Sequence, residues 1–120
     1  MTFAAIFALV VGVGMLTQWT LSFVTKQIPE LRTEPIRIAF HLAGEAITAL
    51  LLVVGGLGLL AAVPWARTVF LISVGMLLYT AIVSPGYFAQ RGKWGWLIMF
   101  TALIVLALAT VIALSTSATV

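Results

Sequence analysis

The sequence predicts an all-α integral membrane protein in which four transmembrane helices form an antiparallel up-down bundle, a single membrane domain over residues 1–120. Three observations predict it. Hydrophobic residues make up 63% of the chain against 8% charged, with mean hydropathy +1.25, a balance foreign to water-soluble domains. The charges, six basic and three acidic, are bunched rather than spread. Between the bunches stand four apolar runs, each near the roughly 20 residues that a ~30 Å hydrocarbon core requires of a helix.

Span one covers residues 3–24 and is interrupted only by Thr17, Gln18, Thr20 and Ser22. A cleaved signal peptide is the competing reading, but a basic region before the apolar stretch and an Ala-x-Ala site after it are missing, so a mature helix is expected. Residues 26–35 then collect four charges and two prolines. Pro35 suits the first turn of a helix, because its φ is already helical and its missing N–H would have had no partner there. Span two is therefore expected over residues 36–62, with Thr33 or Glu34 as cap and enough length to tilt. Pro64 breaks it. Span three, residues 66–84, is expected to stop at Pro85-Gly86, leaving residues 86–93 as a loop. Span four covers residues 94–114, and the polar tail after it is expected to fray.

Loops one and three share a side and hold Lys26, Arg32, Arg37, Arg91 and Lys93, against Arg67 alone opposite, so the positive-inside rule puts both termini on the outer, non-cytoplasmic side. Trp65 then falls at the outer interface, and Tyr87, Trp94 and Trp96 at the inner one. The same distribution explains a pI near 10.0 without nucleic acid, since these cations form no basic face. Zero cysteines exclude disulfides, thiolate metal sites and thiol nucleophiles.

Polar side chains inside the spans carry the functional expectation. On span two Glu34, Arg37, His41, Glu45 and Thr48 recur at spacings of 3, 4, 4 and 3, one face of a 3.6-residue helix. Glu45 lies about 15 Å beyond Pro35 at ~1.5 Å per residue, close to the bilayer midplane. An unpaired carboxylate there costs at least ~2.5 kcal/mol, so Glu45 should be protonated, paired or hydrated. Gln18, Ser22 and Thr25 on span one, and Thr80, Ser84 and Tyr87 on span three, follow faces directed to the same inner side. The opposite halves are nearly bare, which predicts an inward-facing polar vestibule under a sealed outer half. Gly12, Gly14, Gly55, Gly56 and Gly58, with Ala62 and the series Ala39, Ala43 and Ala46, permit close helix approach within one bundle or between copies.

The expected function is binding or transport of a small ligand or cation. Glu45 would be the proton-exchanging group or counter-ion, His41 its tuning partner and Arg37 an electrostatic gate, with Gln18, Thr48, Tyr79, Thr80 and Ser84 as polar lining. The alternative is a non-catalytic accessory subunit, in which Glu45 anchors a structural hydrogen-bond network with Gln18 and Thr80. A haem or divalent metal held by His41, with Glu45, across a homodimer is a further alternative, and no cofactor is required by the sequence. Catalysis is not expected, because His41 has no nucleophile at a diagnostic spacing, although acid–base chemistry by His41 and Glu45 stays open. The bilayer and further copies of the chain are the expected partners.

In length and span count the chain resembles the small multidrug resistance transporters, dimers of four-helix chains around a membrane-embedded glutamate. The resemblance covers architecture and no motif: that family carries its glutamate in the first span, where this chain has Gln18, and its acid here is Glu45 in span two. It implies transport and dimerisation and assigns no residue.

Overall fold

The computed structural model describes residues 2–26 and 28–116, without the Tyr87 side chain; the polar tail beyond Thr116 lies outside the described residues. The elements are α1 (Thr2–Val24), α2 (Glu30–Thr33), α3 (Pro35–Leu60), α4 (Ala66–Val83), α5 (Pro85–Gln90) and α6 (Trp94–Ser115), and no strand occurs among the described residues. Four stretches are long and apolar enough to cross a membrane: α1, α3, α4 continued through α5, and α6. They suggest a multi-pass membrane protein.

The helix ends follow local chemistry. Pro35 opens α3 as expected, with Glu34 at the cap position, but the Glu34 carboxylate makes no capping bond and instead accepts from Arg37 Nη1 at 2.7 Å. α3 ends at Leu60, two residues short of the expected boundary, because Ala62 takes a left-handed φ of 56°. Its N–H then reaches Leu59 O at 3.2 Å, and the Val63 N–H reaches Gly58 O at 3.1 Å, satisfying carbonyls the helix end would orphan. Gly92, at φ 71°, closes α5 in the same way, with Lys93 N–H on Phe88 O at 2.9 Å. Span three differs more. Ser84 keeps a helical φ of −62° and its N–H bonds Thr80 O at 2.8 Å, so Pro85 does not stop the chain but begins α5, and the expected loop shrinks to residues 91–93. The fixed φ of proline is itself helical, so the chain resumes as helix directly after the break at Ser84.

α3 is the hub, packed most extensively on α1 and α4, while α6 lies more lightly against α4 and α1. Glycine sets the α1–α3 distance: a Cβ on Gly12 would stand 2.9 Å from Ala49 O, and one on Gly56 would stand 3.1 Å from Ala5 O. Gly55 and Gly58 likewise face Phe70 and Ala66 of α4, whereas Gly14 meets nothing. Four of the five glycines thus serve contacts within one chain. Around them Ala4, Ala5, Ala8, Leu52, Phe70, Val74 and Leu77 form the core, joined by Ala107 and Leu114 of α6. Arg67 Nη2 donates to Leu114 O at 3.0 Å, placing a cation on the carbonyl end of α6, while Nη1 is buried without a partner among the described residues. At the other end Phe88 of α5 stacks on Trp96 of α6 at 4.6 Å. The exterior is apolar: Ile36, Phe40, Val24 and Ile98 are among many large hydrophobic residues left exposed. If hydrocarbon surrounds such a surface, its burial gains little, and close packing at the glycines would then carry the helix contacts.

Candidate functional site

α3 emerges from its first turns with little cover. From Ile36 to Gly44 only Ile38 is buried, and continuous packing begins at Glu45, which is 7% exposed. The register set at Pro35 puts His41, Glu45 and Thr48 on the side where α4 approaches, and α4 answers with Thr80 and Ser84 one turn apart. Thr80 Oγ1 donates a hydrogen bond to Glu45 Oε1, joining the two helices. Ser84 Oγ lies 3.0 Å from Thr80 Oγ1. Since the one proton of Thr80 is directed at the carboxylate, Ser84 is the donor in that second bond, and the three residues form a directed chain.

His41 Nε2 stands 3.5 Å from the same Oε1, within ion-pair range and too long for a strong hydrogen bond. Trp19 of α1 also meets the imidazole, edge to face with ring centroids 5.6 Å apart. Thr48 Oγ1 donates to Gly44 O within its own helix at 2.8 Å.

Glu45 borders two hollows. One, of about 280 Å³, lies between α1 and α3 and is walled by Met15, Leu16, Trp19 and Leu42. The other, about 630 Å³, runs between α3 and α4 and contains the polar cluster. Phe40 at 77% and Tyr79 at 72% exposure line this second hollow, together with the exposed Ile72 and Val83, so it is a groove open along the flank of the helix pair. The vestibule expected inside the bundle is replaced by this lateral groove. At this end α1 lines the first hollow with Trp19 and Thr20 and contributes no residue to the second, so the polar cluster sits on the α3–α4 seam.

The structure brings together His41, Glu45, Thr48, Tyr79, Thr80 and Ser84. Gln18 and Arg37 stand apart. Gln18 is exposed and donates to Ser22 at 3.3 Å. α1 meets α3 through Gly12, and six residues at 3.6 per turn carry Gln18 roughly 120° round the helix from that contact. Arg37 is exposed and held by Glu34 at 2.7 Å, bordering neither hollow. The contact of Trp19 on His41 was not legible in the sequence, because helical period does not fix which face of α1 meets α3. Among the described residues no group of three or more His, Cys, Asp and Glu converges, so a three-ligand metal site at His41 would need ligands from beyond them.

The family described as Domain of unknown function (DUF8058) matches this chain over residues 1–119. No curated protein and no solved structure matches it.

Proposed function

The chain belongs to that family, whose description names no activity, and from the site we propose that it is a multi-pass membrane protein binding or moving a small ligand or cation at Glu45. In this reading the four long helices insert as an antiparallel up-down bundle with both termini outside. What supports the antiparallel order is the sense of the contacts: Gly12 faces Ala49 and Gly56 faces Ala5, Gly55 faces Phe70, and Arg67 reaches Leu114. The observation that carries the function is the carboxylate of Glu45, nearly buried yet on the wall of an open groove. A carboxyl in hydrocarbon is retained at a cost, and here a second helix supplies a donor for it while space remains for an occupant. Glu45 is the group that exchanges a proton or meets the ligand, His41 tunes it, and Thr80 and Ser84 hold its geometry. Arg37, paired with Glu34 in the first turn of α3 and bordering neither hollow, has no contact in the site that would make it a gate. Assembly into a homo-oligomer belongs to the same reading, because α6 buries only Ala107, Thr110 and Leu114 and leaves most of its surface free for another chain.

The test is infrared difference spectroscopy of the carboxyl band, on wild type and Glu45→Gln, as cations and small amines are added. A Glu45-dependent band that moves with solute supports the reading; a band indifferent to every solute leaves Glu45 as an accessory subunit's structural tie. The Thr80 bond joining α3 to α4 is the observation that favours that rival.

A further inference from the structure

Two hydroxyls stand in line beside Glu45, and we infer that the proton it exchanges travels through Thr80 and Ser84 to water at the end of the bundle that carries Lys26, Arg32, Arg91 and Lys93. The inference rests on the reading of Glu45 as a proton-exchanging group and adds the route and the side. Thr80 Oγ1 donates to Glu45 Oε1, and Ser84 Oγ stands 3.0 Å from Thr80 Oγ1, within the reach of about 2.6–3.2 Å that proton transfer requires. Loading balances in three steps: Ser84 Oγ takes a proton from water, the proton Ser84 held passes to Thr80 Oγ1, and that of Thr80 passes to Glu45 Oε1. Unloading is the reverse. Rotation of the two hydroxyls restores the starting order for the next proton.

Position along the helices gives the route its side. Ser84 is half-buried, one helical turn nearer the basic end than Thr80, and borders the open groove. Pro85 follows it without an N–H for Ala81 O, the acceptor four residues back, and in a membrane helix a carbonyl freed this way is met by a hydroxyl or an ordered water. Toward the other end the line stops. Thr48, one turn beyond Glu45, gives its proton to Gly44 O, and the next polar side chains that way on α4 and α6, Ser73 and Thr110, are buried and bonded to Phe70 O and Ala107 O. The titratable groups that share the groove with Glu45 are His41 of α3 and Tyr79 of α4, while α1 brings Met15, Leu16, Trp19 and Thr20 to the other hollow. His41 Nε2 lies 3.5 Å from Oε1, beyond transfer distance, and no bond joins Tyr79 to Glu45 among the described residues.

The experiment uses the full chain in zwitterionic-lipid nanodiscs, a proton released from a caged compound by a laser flash, and time-resolved infrared detection of the carboxyl band that Glu45→Gln removes. Ser84→Ala and Thr80→Val, each verified as folded by circular dichroism, should slow the rise of that band at least about tenfold. Ser84→Thr and Thr80→Ser keep a hydroxyl and should return most of the rate. A wild-type rate in Ser84→Ala overturns the relay and leaves the Glu45 site standing, and slowing in His41→Gln would then move the route to the imidazole. Slowing by Ser84→Ala that Ser84→Thr does not relieve also overturns the relay, because loss of the hydroxyl proton is then not the cause. A carboxyl band that answers neither the flash nor any added solute overturns both the relay and the proposed role of Glu45.

Discussion

Thr80 shows how much a single hydroxyl decides at this site. It gives its proton to Glu45 and receives one from Ser84, so Thr80→Val removes a donor from a nearly buried carboxylate and strands Ser84. We predict a loss of about 1–3 kcal/mol in thermal or denaturant unfolding in detergent, largely restored in Thr80→Ser, which keeps the proton. If Thr80→Val unfolds like wild type, the bond has no structural weight. Ala62 gives a prediction of the opposite sign. Its left-handed φ of 56° strains a Cβ that glycine lacks, so Ala62→Gly should stabilise the chain by up to about 1 kcal/mol, the gain reduced by the greater freedom of glycine when unfolded. A lowered melting temperature for Ala62→Gly would contradict that account of the α3 end.

Among elements, the α1–α3 contact depends on absence of side chains. Gly12 and Gly14 are two residues apart on one helix, yet a Cβ on Gly12 collides with Val53 and Ala49 O while one on Gly14 is unopposed. Gly12→Leu should therefore force α1 from α3 and cost several-fold in folded yield, whereas Gly14→Ala should be neutral or stabilising by up to about 1 kcal/mol through helix propensity. Comparing the two by size-exclusion profile and thermal stability is the check, and similar behaviour would mean that α1 does not dock as described. α4 and α5 offer the complementary case: Pro85 breaks the helix yet starts the next one at once, because Ser84 keeps a helical φ, and Phe88 of α5 stacks on Trp96 of α6.

For the whole molecule, the proposed orientation has a direct readout because the chain lacks cysteine. A single cysteine then reports its side without background. Ala61→Cys, exposed in the turn between α3 and α4, should react with a membrane-impermeant maleimide from outside intact cells. Gln90→Cys, exposed at the end of α5, should react only after permeabilisation. The reverse pattern would invert the bundle and with it the side toward which the Glu45 end faces. The basis is the concentration of Lys26, Arg32, Arg37, Arg91 and Lys93 on one side, which resists translocation.

Sequence alone determined where the four long apolar helices start, since length, hydropathy, prolines and charge bunches are local properties, and the observed helices begin within a residue of the expected starts at Thr2, Pro35, Ala66 and Trp94. It also determined which polar residues share a face of α3, because that follows from helical period. Where a helix ended was less legible: Ala62 and Ser84 adopt conformations that depend on what their neighbours' backbone groups can bond. Only the tertiary structure decided which faces meet. Gly12 rather than Gly14 touches α3, so Gln18 is rotated away from the cluster, and Trp19 is brought to His41. The same docking turned the expected central vestibule into a groove on the α3–α4 flank. Helical period fixes angles within one helix but leaves its rotation relative to the next free, and that rotation is set by close packing among side chains far apart in the chain.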